Sequence, residues 1–224
     1  MLKIGTYGIG GMYIGDDAVV KAYIGSDLVY SSTPFVLPYD AEIEYLGSSG
    51  TQFIDTGIVP TATTGVYTHI NRTATGDKYA MGLRDTSGNT RWCAGNNGSW
   101  YLGYGSYYSS SGISGNEADI KLNWMNDKKF YTEFSGATKT YNLPTLNFTP
   151  QNNIRLFGSA GVTGSTYRFT GTISFFKISD GSNVIMDLIP VRVGQVGYMY
   201  DKISRTLFGN DGTGSFTLGN DKTT

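Results

Sequence analysis

The sequence predicts an all-β protein: a sandwich of two antiparallel sheets preceded by a small β-meander. Three observations lead there. The 224 residues include 31 Gly, 17 Tyr and 11 Phe but only 16% charged residues. That balance favours strands and tight turns, because aromatic and β-branched side chains fit a pleated surface. Short apolar-alternating segments recur at intervals of roughly 8–15 residues between Gly, Asn and Asp turn signals, as in a sandwich. No long stretch carries the periodicity or capping of an amphipathic helix.

Taken in order, the chain opens with Gly5, Gly8, Gly10 and Gly11, a pliable leader. Tyr13-Ile14-Gly15-Asp16-Asp17 then recurs ten positions later as Tyr23-Ile24-Gly25-Ser26-Asp27, followed by Leu28-Val29-Tyr30. The repeat reads as a three-stranded meander with two tight turns. So small a unit buries no core of its own, so it is expected to pack on the rest of the chain, on its copies or on a larger assembly. Ser31-Ser32-Thr33-Pro34 through Pro38 reads as a linker. The predicted division is therefore 1–37 for meander and linker and 38–224 for the sandwich.

Tyr45 to Gly57 and Tyr200 to Phe216 are matching sets of short alternating segments at the two ends of that second domain. Between them, Ile120, Leu122 and Trp124 alternate with Lys121 and Asn123. Asn126-Asp127 then signals a turn, and Lys129 to Phe134 returns as the second arm of a hairpin. Ile154 to Phe157, Tyr167 to Phe169, Thr172 to Ile178 and Val184 to Ile189 follow as strands, with Asp180-Gly181 as a turn.

Four of these segments, Tyr45 to Gly57, Thr172 to Gly181, Ile189 to Arg192 and Tyr200 to Phe216, together resemble a concanavalin A-like, laminin-G-like jelly roll. The version they are most similar to occurs in bacteriophages and in surface proteins of gut Bacteroides. The Met12 to Tyr30 repeat resembles the small anchoring module ahead of such domains in gut phage virion proteins. The resemblance implies a virion appendage, a head-fibre or tail-fibre-like protein, built as a symmetric oligomer, most often a trimer. It also implies anchoring to other virion proteins through Tyr13, Ile14, Tyr23, Ile24, Val29 and Tyr30. The segment Met1-Leu2-Lys3-Ile4-Gly5 has no apolar run of signal-peptide length, so synthesis in a host cytoplasm and release on virions is expected.

Other function classes are bounded by composition. A net charge of −1 gives no basic footprint for nucleic acid. No segment approaches the roughly 20 apolar residues of a spanning helix, so no membrane partner is expected. Cys93 is the only cysteine, read as a small buried apolar side chain. His69, the only histidine, falls with Tyr67 and Asn71 on the strand face opposite Val66 and Ile70, an ordinary strand-surface position.

Glycosidases occur on the resembled fold and need paired carboxylates, about 5 Å apart in retaining enzymes. The relevant family pattern is Glu-x-Asp-x-x-Glu on one strand. Here Glu117-Ala118-Asp119 is followed by Leu122 where the second Glu belongs, and Glu42-Ile43-Glu44 lies at the domain edge. No enzyme is expected. Glycan binding rests on aromatic faces and planar polar groups, dense in the middle segment: Arg91, Trp92, Asn96, Asn97, Trp100, Tyr101, Tyr104, Tyr107 and Tyr108. The same residues also suit a core, with Trp92 and Trp100 on inner strands and Tyr107 and Tyr108 at an intersubunit contact. No cofactor is expected. Asp85, Asn89, Asn126, Asp127, Asn210 and Asp211 are oxygen donors of the kind calcium uses, though each is equally a routine turn residue.

Overall fold

The computed structural model describes residues 36–74, 76, 78–84, 91–146, 149–161 and 168–223, together with the backbone of residues 13–14, 17–18, 21–24 and 27–31. The chain divides into two compact units, Met1–Pro38 and Tyr39–Thr224. In the first, β1 (Tyr13–Ile14) pairs with β2 (Asp17–Ala18) and β3 (Lys21–Ile24) with β4 (Asp27–Ser31). Among the described residues no ladder joins β2 to β3, so the expected three-stranded meander is two hairpins. The repeat falls at the same register in both pairs: Ile14 stands opposite Asp17 and Ile24 opposite Asp27. The side chains of the predicted anchoring residues Tyr13, Ile14, Tyr23, Ile24, Val29 and Tyr30 lie outside the described residues.

The second unit begins with β5 (Ala41–Glu42), β6 (Leu46–Ser49), β7 (Ile54–Asp55), β8 (Thr64–Arg72) and β9 (Lys78–Arg84). It continues with β10 (Arg91–Asn96), β11 (Ser99–Gly105), β12 (Tyr107–Ser114), β13 (Glu117–Leu122), β14 (Lys129–Phe134) and β15 (Ala137–Asn142). The last are β16 (Arg155–Leu156), β17 (Thr170–Asp180), β18 (Asn183–Val193), β19 (Val196–Asp201), β20 (Thr206–Phe208) and β21 (Thr217–Leu218). They form a sandwich of two antiparallel sheets. The larger runs β15-β14-β13-β8-β17-β18-β19-β20, with β5, β6 and β21 attached, and the smaller runs β12-β11-β10-β9-β16-β7. Among the described residues no helix is long and apolar enough to cross a membrane.

Alternation builds the core. Along β13, Ala118, Ile120 and Leu122 are buried while Glu117, Asp119 and Lys121 are not. Val66, Ile70, Phe130, Phe176 and Leu188 of the larger sheet join Met81, Leu83, Trp92, Trp100 and Leu102 of the smaller in one buried cluster. Two sheets that interleave their inner side chains this way exclude water from both. The chain ends close the sandwich: Asp211 donates its amide to the Phe53 carbonyl at 2.9 Å, and Thr217 stands opposite Gly47. Gln52 Nε2 donates to the Ser215 carbonyl at 2.9 Å. At the opposite edge the Tyr141 hydroxyl bonds the carbonyls of Ser110 and Ser111 at 3.1 and 3.0 Å, tying β15 to β12.

One local departure from alternation positions the site described next. Strand β13 stops at Leu122, and Asn123 adopts the left-handed conformation, φ 49°. Its buried amide donates to the carbonyls of Ala62 and Thr64 and its oxygen accepts from the Lys128 amide, each at 3.1 Å. Gly65 permits this approach, since a Cβ there would lie 2.1 Å from the Asn123 carbonyl oxygen. Trp124 is therefore not a strand residue on the inner face of Ile120 and Leu122. The kink places it in a 3-10 turn against Tyr67 on the outside.

Candidate functional site

The predicted glycan-contact residues separate by strand parity. Trp92 and Trp100 are fully buried in the core cluster, and Tyr104, also within it, is 1% exposed. Asn96 is fully buried as well: its Oδ1 accepts from Arg72 Nη1 at 2.6 Å and from the Gly98 amide at 2.8 Å. Tyr101 points to the other side of the smaller sheet, yet it is buried there with Tyr79 and Cys93. These five residues are corrections, because an enclosed ring has no face left to offer a sugar and the buried Asn96 amide oxygen is already taken by Arg72 and Gly98. The core reading of Trp92 and Trp100 is the observed one, as is the buried placement of Cys93. Arg91 and Tyr107 are half-buried, and Asn97 and Tyr108 are exposed. The Arg91 guanidinium lies 5.2 Å from the Tyr108 ring centroid, and Asn97 Nδ2 donates to the Tyr108 hydroxyl at 3.2 Å.

The richer surface is the outer face of the larger sheet. There Tyr67 and His69 from β8, Glu117, Asp119 and Lys121 from β13, Tyr131 and Glu133 from β14, and Phe175 and Lys177 from β17 are all half-buried. Register sorts them into two lines across the strands. One runs Tyr131, Lys121, Tyr67, Lys177, Asp187, and the other Glu133, Asp119, His69, Phe175. Tyr67 meets Phe175 edge-on at 4.8 Å and Trp124 at 5.8 Å, geometries that aromatic quadrupoles favour.

His69 holds the acidic line together. Its Nδ1 lies 2.7 Å from Asp119 Oδ1 and its Nε2 2.8 Å from Glu117 Oε1. Both nitrogens donate together only when the ring carries both protons. Glu133 accepts the Tyr131 hydroxyl proton, and this bond, with burial and the Glu133 charge behind it, pushes the Tyr131 phenol up to about 12. Burial first, then the Asp119 and Glu133 charges, raises Tyr67 as well. Both phenols thus stay neutral donors at any physiological pH. The Lys121 ammonium lies 4.7 Å from the Tyr67 centroid and 5.1 Å from that of Tyr131, a cation–π arrangement.

Two open hollows flank the Tyr67–Phe175 pair. One of about 320 Å³ is lined by His69, Glu117, Asp119, Glu133 and the Phe134-Ser135 turn. The other, about 310 Å³, is lined by Tyr67, Phe175, Lys177, Asp187, Ile189 and Lys202. The sequence placed His69 correctly beside Tyr67 and Asn71, opposite Val66 and Ile70. It did not reveal that Asp119, Glu117 and Phe175 would stand beside it. Period-2 alternation marks outward residues on each strand, but which strands are neighbours is long-range information. Trp124 was hidden by the kink at Asn123.

Among the calcium-type donors, Asp127 Oδ1 accepts from the Lys129 amide at 2.9 Å and Asn210 Oδ1 from the Gly212 amide at 2.8 Å. Asp211 Oδ2 accepts from the Asp55 amide at 2.8 Å. All three cap turns or strand ends. Asn126 lies in the left-handed region, φ 59°; Asp85 and Asn89 lie outside the described residues.

The chain matches no family model, and no curated protein matches it in sequence. Its fold is similar to that of a Bacteroides ovatus protein, solved at 1.50 Å and provisionally assigned to carbohydrate binding. The TM-score is 0.56 at 13% sequence identity, over 81% of this chain and 61% of that one. The chain thus spans less than two thirds of the neighbour's length. At that identity the likeness carries the sandwich fold, and the site must be argued from its own residues.

Proposed function

We propose that this protein binds carbohydrate through the outer face of its larger sheet, as part of a bacteriophage virion appendage of head-fibre or tail-fibre type. The observation that carries the binding half is the group of Trp124, Tyr67 and Phe175 beside two hollows edged by charged side chains. Sugars stack their C–H faces on such rings and bond their hydroxyls to carboxylates, amides and ammonium groups. All of these groups stand within the same few strands. The likeness of the fold to a provisionally carbohydrate-binding protein supports the same reading.

The virion half rests on the sequence resemblance of Met12 to Tyr30 and on the compact division at Pro38. In this reading the first unit docks to the particle, copies assemble as a symmetric trimer, and the sandwich meets host or mucosal glycan. Arg91, Asn97, Tyr107 and Tyr108 supply a secondary contact patch. Catalysis fits the site poorly. Glu117 and Asp119 are both committed to His69, and Glu133 to Tyr131, so none stands ready as a free acid or nucleophile.

The test is saturable binding of the full-length chain to a panel of bacterial and mucosal polysaccharides. Trp124→Ala and Phe175→Ala are expected to weaken binding while the protein stays folded. A panel with no saturable binder would leave a purely structural decoration protein. Product release that disappears in Glu117→Gln would make it an enzyme. Imaging of purified particles checks the appendage.

A further inference from the structure

We infer that the lysine line of this face is a subsite for the anionic group of an acidic saccharide. The inference rests on the carbohydrate reading above and adds the charge class of the ligand. Lys121 and Lys177 flank Tyr67 in direct register on its two sides. Asp187 stands next to Lys177 across the following strand pair, and Lys202 reaches the same carboxylate. Lys177 Nζ lies 3.4 Å from Asp187 Oδ1 and Lys202 Nζ 3.2 Å from Asp187 Oδ2. One carboxylate thus serves two ammonium groups. Among the described residues no carboxylate comes within ion-pair distance of Lys121, whose ammonium faces rings instead. Lys121, Lys177 and Lys202 thus have between them a single carboxylate on the open face, Asp187, while the neighbouring Asp201 carboxylate is buried and turned to backbone amides.

The shape agrees with the charge. The hollow beside Lys177 and Lys202 has Tyr67, Phe175 and Ile189 for its apolar wall, and its volume of about 310 Å³ suits one small-ligand moiety. A pyranose ring laid on the Tyr67–Phe175 pair turns a ring substituent toward the two ammonium groups. The lysine side chains are 33% and 48% exposed, so they are reachable without rearrangement. The neighbouring line fixes the direction. Glu133, Asp119 and Glu117 gather three carboxylates around the single His69 ring, so an anion is repelled from that end and drawn to the lysines. A uronate carboxylate and a sulfate ester present the same chemistry here: oxygens that accept charge-assisted bonds from ammonium.

The experiment uses the full-length chain and a panel of neutral, uronate-bearing and sulfate-bearing polysaccharides. The tightest acidic binder is measured again after carboxyl reduction or after desulfation, which distinguishes the two sources. Removing the anionic group is expected to weaken binding about tenfold, the size of one charge-assisted hydrogen bond. The double variant Lys177→Gln, Lys202→Gln is expected to lose the same factor for the acidic ligand, so that its affinities for the acidic and the neutralised ligand become equal. Lys177→Arg, Lys202→Arg should retain the preference, and added salt should erode it. Lys121→Gln, at a side chain that pairs with no carboxylate among the described residues, supplies a second variant expected to weaken acidic ligands several-fold while the protein stays folded. Binding confined to neutral polysaccharides, or affinity unmoved by neutralisation and by both Gln variants, overturns the subsite and leaves the carbohydrate reading standing. Absence of any saturable polysaccharide overturns both.

Discussion

The two sheets spend their aromatic residues in opposite ways. The smaller sheet turns Trp92, Trp100 and Tyr104 inward, fully or almost fully enclosed, and covers Tyr101 on its other side as well. The larger sheet keeps Tyr67, Tyr131 and Phe175 half-open on its outer face, interleaved with charged groups, and adds Trp124 by a backbone kink. The difference teaches that aromatic density marks a core as readily as a binding surface. What separates the two is the company the rings keep. Trp92 and Trp100 pack among Leu102, Leu83 and Phe169, whereas Tyr67 and Phe175 are bordered by Lys121, Lys177, His69 and Asp119.

Substitutions test that contrast, and the largest effect is expected on the buried side. Trp100→Ala should destabilise the fold by about 3–5 kcal/mol, the usual cost of emptying a large aromatic site. Chemical denaturation measures it; an unchanged midpoint would return Trp100 to the surface.

Next comes Asp201, 1% exposed, the last residue of β19. Burial alone would raise its carboxyl, but bonds from Ser204 and from the amides of Asp187, Ser204 and Ile203 outweigh it and hold the group below the usual range. A depressed folded value means its stabilisation is present above the unfolded value near about 4 and is lost as pH falls through the folded one. Asp201→Asn should therefore cost about 1–3 kcal/mol at neutral pH and flatten the acid limb of the stability profile. An acid limb identical to the parent's would show that other carboxylates govern it.

On the open face the expected effects shift from stability to binding. Phe175→Ala should cost about 1 kcal/mol of saccharide affinity, or roughly fivefold, as read by titration calorimetry, with a smaller stability loss than Trp100→Ala. Equal stability losses at the two positions would erase the contrast between the sheets. His69→Gln is expected to have the smallest effect on folding, at most about 1 kcal/mol, because its two carboxylate partners are partly solvated. Its consequence should appear as altered ligand selectivity, through Glu117 and Asp119 left without the ring they share.

Much of the architecture was legible in the residues. The paired segments around Tyr45 to Gly57 and Tyr200 to Phe216 fold onto each other. The Gly181-Ser182 loop joins β17 to β18 as its turn signal indicated, and His69 lies on the face alternation assigned to it. The site was less legible for two separate reasons. Trp92, Trp100 and Tyr104 carry the same composition signal whether they face a partner sheet or a sugar. Conversely, Lys121, Tyr67 and Lys177 lie 54 and 110 positions apart from Tyr67 outward, and no local pattern marks them as one line.

By itself, then, the sequence determined that the chain is built of strands and tight turns and, for the strands it marked, which side chains share a face. Those follow from backbone sterics and a two-residue period that act locally. Tertiary structure decided which face of each sheet is enclosed and which strands lie side by side. Those choices depend on burying one face of every strand at once, and that free energy exists only when the two sheets meet.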